Sequence, residues 1–231
     1  MSARYAVYFS PKRHSPWWEF GAHWLGRNEY DHSALPQPQL EDIPPAELAR
    51  ITAEPRRYGF HATLKPPFRL AATHDETGLL ARLRKLASTL EPVVLSPLRV
   101  ATLGNFVALI PDTNHAGLQA LASACVLELD DFRAALRATD LARRGNLNLD
   151  AREAELLALY GYPYVMDRFR FHLTLTGPME SSAAPRISHA LAESVSQLNR
   201  GPALSLDHLC LFVERTPGAA FQRIADVALS A

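Results

Sequence analysis

Cysteine is nearly missing from this 231-residue chain. Cys125 and Cys210 are the only two, too few for a disulfide framework. No stretch approaches the ~18 consecutive apolar residues of a membrane-crossing helix, and the opening MSARYAVYFSP lacks the apolar segment of a secretory leader. Neither sign of charge is in excess: 24 Lys and Arg stand against 24 Asp and Glu, so a strongly basic nucleic-acid binder is not implied, although a local basic cleft is compatible with this balance. His-x-x-x-His and Cys-x-x-Cys, the short spacings that closed metal centres use, do not occur. What is present is ordinary globular material, 48% apolar and 21% charged. These features lead us to expect a soluble protein of a reducing cytoplasm with a core of its own, no cofactor, no bound metal, no membrane association and no evident protein partner.

One phrase occurs twice. YGFHATLKPPF begins at Tyr58 and FRFHLTLTGPM at Phe169, and each contains His-x-Thr-Leu, at His61 to Leu64 and His172 to Leu175. The similarity extends beyond the four residues. DETGLLARLRKLASTL (75–90) follows the first copy, with Leu79, Leu83, Leu86 and Leu90 at helical spacing. SSAAPRISHALAESVSQLNRG (181–201) follows the second, with Ile187, Leu191, Val195 and Leu198 on one face and Gly201 placed as its stop. Each helix leads into a segment that reads as two strands, 92–111 with a Gly-Asn turn and 203–229 joined through Thr-Pro-Gly. A repeated unit of this kind predicts two related lobes facing each other within a single domain over 1–231. The lobes would be approximately 1–111 and 168–231, connected by helical 112–167.

Other segments are read from local signals. RYAVYF (4–9) predicts an opening strand, and SPWWEFGAHWLG (15–26), with Pro just inside a Ser cap, a short helix. Residues 27–57 read as a long surface excursion with one helical turn near 44–51. The connection predicts an amphipathic helix near 116–137 and another at about 151–160, where Asp150 and Glu153 could form a capping box. Trp17 and Trp18 read as core, and Lys12 to His14 as a solvated turn.

Side chains on a strand alternate between faces. In the first copy Tyr58, Phe60, Ala62 and Leu64 share one face, and Arg57, His61, Thr63 and Lys65 the other. In the second, Phe169, Phe171, Leu173 and Leu175 oppose Arg168, Arg170, His172, Thr174 and Thr176. Two such polar faces across a groove would gather imidazoles, hydroxyls and cations in one small volume, a composition suited to phosphate. Two imidazoles can give and take protons near neutrality, so His61 and His172 are the candidate general acid and base, in either order. Thr63, Thr174, Lys65, Arg57, Arg168 and Arg170 are candidate phosphate contacts. Tyr162 and Tyr164, in the aromatic segment entering the second copy, are candidates for stacking on a base or sugar; packing around a turn is the competing reading. A metal site is the chemical rival and lacks a third ligand at suitable spacing. The remaining histidines (14, 23, 32, 74, 115, 189 and 208) read as surface or satisfied core residues.

On HATL (61–64) and HLTL (172–175), within RYAVYFSP, YGFHATLKPPFRL and RFRFHLTLTG, the sequence resembles the two-histidine (2H) phosphoesterase superfamily, in a bacterial branch whose genes often accompany phosphonate utilisation. The resemblance covers most of the chain and least 112–160. It implies a bilobal, pseudo-two-fold α+β fold, with an antiparallel sheet and helices in each lobe around a central cleft, and metal-independent cleavage of cyclic phosphates or phosphodiesters, often on ribose or an RNA end. His61 and His172 carry over as acid and base, and Thr63 and Thr174 as phosphate binders. Neither motif departs from the pattern. The expected ligand is a small cyclic phosphate, a nucleotide or an RNA end. The alternative is a nucleotide- or RNA-end-sensing module that binds without turnover.

Overall fold

In the computed structural model, residues 3–95, 97–113, 115–137, 148–180 and 182–230 are described. They form a mixed α/β protein with antiparallel sheets. Strand β1 (Arg4–Phe9) is followed by helix α1 (Pro16–Leu25), α2 (Pro45–Ile51), α3 (Ala53–Arg56), β2 (Ala62–Phe68), α4 (Glu76–Ala87), β3 (Val93–Leu95) and the hairpin β4 (Leu98–Leu103) and β5 (Phe106–Pro111). Then come α5 (Ala116–Glu128), α6 (Ala151–Tyr160), a 3-10 turn at Met166–Arg168, β6 (Leu173–Thr174), α7 (Ala184–Arg200), β7 (Leu204–Leu206), β8 (His208–Glu214) and β9 (Gln222–Ala228).

The larger sheet has the order β2-β1-β8-β9, the smaller β4-β5-β6, and β3 pairs with β7. The second hairpin, β8–β9, thus joins the sheet of the first motif through β1, and the first hairpin, β4–β5, joins the second motif strand. Each sheet draws on both halves of the sequence. This corrects the expected chain-contiguous lobes, 1–111 and 168–231: the repeated units exchange their hairpins, and alternation within a strand carries no information about which partner it takes. The short strands β3 and β7, which sequence reading did not separate from the hairpins, pair antiparallel with each other.

Local chemistry explains the element ends. Ser15 caps α1 by accepting from Trp18 N, Pro16 opens it, and Gly26 closes it at φ 74°. At α6 the Asp150–Glu153 capping box is formed in both directions. Helix α5 ends at Glu128 rather than near 137, and Asp130 beyond it turns its carboxylate to Lys65 and Arg133. Of the range expected to be helical near 116–137, all lies within the described residues.

Strand β1 is buried on both faces. Tyr5, Val7 and Phe9 enter the main core with Leu64, Leu209, Leu211 and the apolar faces of α4 and α7. Ala6 and Tyr8 belong to a smaller cluster on the opposite side with Cys210, Phe212 and Phe221. That smaller cluster underlies the site. The 27–57 segment is a surface excursion in part: most of 31–42 is exposed and α2 stands where a helical turn was expected, but its two ends turn inward. Arg27, Asn28 and Glu29 are buried, as are Ile43, Leu48 and Ile51. The Arg27 guanidinium donates to the carbonyls of Arg56, Arg57 and Phe221, which anchors the approach to the first motif. Sequence composition marks Pro and polar residues as loop-like and cannot show that their polar groups are satisfied inside. Among the described residues no helix is long and apolar enough to cross a membrane.

Candidate active site

Each motif histidine stands immediately before its strand, His61 ahead of β2 and His172 ahead of β6. Each is held the same way. His61 Nδ1 donates to the Gly59 carbonyl at 2.8 Å, and His172 Nδ1 donates to the Arg170 carbonyl at 2.8 Å. A carbonyl only accepts, so both rings carry their proton on Nδ1 and keep Nε2 as the acceptor nitrogen. Gly59 makes the first turn possible at φ 83°, with Glu29 Cβ 3.0 Å from where a side chain would begin.

Both imidazoles line one cavity of about 430 Å³ together with Thr63, Thr174 and Thr176. The Thr63 hydroxyl lies 3.3 Å from His61 Nε2. Tyr8 stacks on His61, ring centroids 3.8 Å apart, and Phe106 lies 5.7 Å from His172. Burial pulls the His61 imidazole down to about 4, opposed by its bond to the Gly59 carbonyl and aided by the neighbouring His172. Burial also lowers His172, against its bond to Arg170. Both rings are therefore neutral near pH 7 before anything binds. Once an anion adjoins Nε2, its charge favours the imidazolium and one ring becomes an acid.

Of the remaining sequence candidates, Tyr162 lines the cavity and the others do not. Arg57 is turned to Glu214, to the Ala219 carbonyl at 3.0 Å and over the Tyr58 ring. Arg168 pairs with Asp150 at 2.6 Å. Arg170 is exposed and contributes its carbonyl rather than its side chain. Tyr164 is exposed and packs edge-on against Tyr162. Lys65 is buried, donating to the Val126 carbonyl at 3.0 Å and to Asp130 at 3.2 Å. Arg168 and Arg170 stand in the turn and linker ahead of the two-residue β6, and Arg57 stands at the end of α3 ahead of β2. The β1–β2 register shifts between Val7 and Tyr8, which breaks strict alternation from Thr63 to Lys65. Tyr164, a candidate for its aromatic segment alone, lies in the loop after α6.

Sequence reading missed Arg4, Tyr8, Tyr58 and Phe106 as cavity residues. Arg4 and Tyr8 share a face of β1 with Ala6, and the alternation of RYAVYF could have grouped them. Nothing in the sequence pairs that strand with β2.

Among the described residues, His208, Cys210 and Asp226 place donor atoms within 4.8 Å of one another. The Arg223 guanidinium already sits among them, 2.6 Å from Asp226 and 3.0 Å from His208 Nε2, so the group fits an internal cation better than a metal ion.

The fold and site together define an α/β protein with a paired-histidine, threonine-lined cavity. The chain belongs to the family described as Protein of unknown function (DUF1045), whose model matches residues 63–222. It is 38% identical over 221 residues to the ribose 1,5-bisphosphate phosphokinase PhnN of Janthinobacterium sp. (strain Marseille), covering 94% of this chain and 49% of that protein. It is also 38% identical over 219 residues to the PhnN of the same description from Laribacter hongkongensis (strain HLHK9), covering 95% and 50%. The chain spans about half the length of the curated relatives it matches. Among solved structures, a conserved protein of unknown function, ATU0111, from Agrobacterium tumefaciens str. C58 aligns with TM-score 0.42 and 14% identity, over 100% of this chain and 87% of that one. A likeness of that degree carries no argument about the site.

Proposed function

We propose that this chain is a metal-independent phosphodiesterase of the two-histidine type, two-lobed about its cavity, acting on a cyclic or ribose-linked phosphate. The observation that carries the reading is the matched pair of imidazoles: each fixed through Nδ1 by a carbonyl two residues back, each offering Nε2, and both lining one cavity with motif threonines. The name of the relatives refers to a ribose phosphate, which agrees with this substrate class. The same name calls them phosphokinases. This sequence has no Gly-x-x-x-x-Gly-Lys-Ser/Thr phosphate loop, and it corresponds to half of those proteins, so we assign it the diester chemistry instead.

In this mechanism Nε2 of one histidine takes a proton from water, whose oxygen attacks phosphorus in line with the leaving oxygen. The phosphorus–oxygen bond on the opposite side breaks, and the second histidine, protonated in the complex, gives its proton to the departing alkoxide. The products are a phosphate monoester and a free hydroxyl. Because His61 is the more firmly held neutral, we assign it as base and His172 as acid. Thr63 and Thr174 donate to nonbridging oxygens.

The test is monoester formation from nucleoside 2′,3′-cyclic phosphates in excess chelator. Turnover that persists under chelation and collapses in His61→Ala and His172→Ala supports the reading. Binding without turnover gives the sensing module instead, and activity restored only by a divalent ion gives a metal enzyme.

A further inference from the structure

A second, smaller cavity of about 40 Å³ adjoins the histidine cavity, and Arg4, Pro66 and Pro67 line both. Among the described residues its wall carries four cations, Arg4, Lys65, Arg69 and Arg133, and no carboxylate. We propose that this niche is an anion subsite for a phosphate monoester carried by the substrate at a distance from the reacting phosphorus. This proposal rests on the phosphodiesterase reading and narrows it, to small cyclic phosphates bearing a second phosphate.

The niche is built rather than incidental. Two carboxylates lie behind it, and each serves two cations. Glu214, fully buried, takes Arg4 through Nε and Arg57 through Nη2. Asp130 takes Lys65 at 3.2 Å and Arg133 at 2.8 Å and 2.9 Å. Burial pushes the Asp130 carboxyl up, but its bonds to Arg133 and the Lys65 charge outweigh that and hold it ionised. These six groups carry four positive charges and two negative, so the cluster keeps an excess of positive charge that a phosphate would neutralise. Glu214 engages Arg4 at Nε, which fixes the guanidinium plane without using its terminal amino groups. Arginine presents those groups as a fork matched to phosphate oxygens.

Backbone bonds lock the walls together. Leu70 bridges to Arg133, Ala134 N donates to the Arg69 carbonyl at 2.8 Å, and Ala71 N to the Phe132 carbonyl at 2.9 Å. On the far side Gly161 closes α6 at φ 75°, where a Cβ would lie 3.2 Å from Arg133 Nη1. The volume holds about three water-sized groups, the size of a phosphate head and too small for a base.

Arg4 connects the two sites. It lines both cavities and shares a face of β1 with Tyr8, which stacks on His61, so a small substrate held at the histidines can carry a second phosphate towards the niche.

The experiment compares adenosine 2′,3′-cyclic phosphate with and without a 5′-phosphate. The wild-type chain should favour the 5′-phosphorylated substrate in kcat/KM by about 10–100-fold, the range for charge-assisted bonds to one phosphate. Arg4→Gln and, independently, Arg133→Gln should bring that ratio towards one; two variants on opposite walls guard against a folding defect in either. Direct titration of ribose 5-phosphate into the His61→Ala/His172→Ala double variant is the second measurement. Binding there that Arg4→Gln weakens supports the niche even where no turnover is found, and in that case it is the phosphodiesterase reading that falls. Equal turnover of both substrates with no ribose 5-phosphate binding overturns the niche and leaves the phosphodiesterase standing.

Discussion

At the scale of single residues, the site depends on histidines kept neutral by their surroundings. The unfolded chain titrates His61 near 6.5, whereas in the fold burial pulls it to about 4. Between those values the unfolded state binds more protons, so the stability contributed by the neutral buried ring is present above about pH 6.5 and is lost as pH falls towards 4. We predict that His61→Gln flattens this acid limb. Urea midpoints measured from pH 7.5 to 4.5 should fall less in the variant than in the parent. In catalysis, each of His61→Ala and His172→Ala should lower turnover by ~10²–10⁴, with a smaller change in binding. The bell-shaped profile should lose its acidic limb in the first variant and its alkaline limb in the second. Thr63→Val and Thr174→Val, each removing one hydroxyl, should cost less, ~10–100-fold. Near-normal turnover in either histidine variant would exclude the paired mechanism.

At the scale of elements, the first motif is held in place by a helix that the sequence presents as merely aromatic. Helix α1 lays Gly21 against Phe60, the residue before His61, and a Cβ at Gly21 would fall 2.0 Å from the Phe60 ring. Trp24 of the same helix donates to the Leu175 carbonyl at 2.8 Å, at the end of the second motif, so α1 touches both copies. A glycine-to-alanine change inside a helix ordinarily stabilises by about 1 kcal/mol. Here the clash reverses the sign. We predict that Gly21→Ala destabilises by about 1–3 kcal/mol, as overpacked sites do, and lowers turnover by displacing Phe60 and His61 together. A gain in melting temperature with unchanged activity would show that α1 does not set the motif's position. The helix itself was readable from its Ser cap, its Pro and its Gly stop. Its partner was not, because close approach at Gly21 depends on which strand lies opposite.

At the scale of the whole molecule, the chain ends are tied to its early segments by a buried ionic group. Arg223 of β9 donates to Ser10 Oγ and the Pro11 carbonyl, both at 2.9 Å, and lies 3.4 Å from Glu29. Both members of that ion pair are fully buried at the side chain, and Trp18 Nε1 donates to the same Glu29 oxygen at 2.7 Å. Removing one partner of such a pair strands the other charge in a dry interior. We therefore predict that Arg223→Met destabilises by about 3–5 kcal/mol, read from denaturant unfolding. Adding Glu29→Gln to that variant should recover part of the loss, since the uncompensated charge is gone. A double variant less stable than Arg223→Met would mean that Glu29 acts through packing rather than charge.

Legible along the chain were the repeated His-x-Thr-Leu units, most helices with their caps, the mixing of helices with strands, and the two histidines that line one cavity with their threonines; the antiparallel sheets were expected from the family resemblance. The legible features are local: periodicity, capping chemistry and motif identity are properties of neighbours along the chain. Tertiary structure alone decided that the hairpins exchange between sheets, that Lys65 turns to Asp130, that Arg57 and Arg168 answer carboxylates elsewhere, and that Arg4 and Tyr8 join the cavity. Alternation on a strand tells which residues share a face and is silent on what that face meets. It also holds only while the strand lasts, and β6 is two residues long. A long cationic side chain adds a further freedom, because it goes to whichever carboxylate the fold brings within reach. The fold brought Asp130 and Glu214 within reach, from segments distant in sequence.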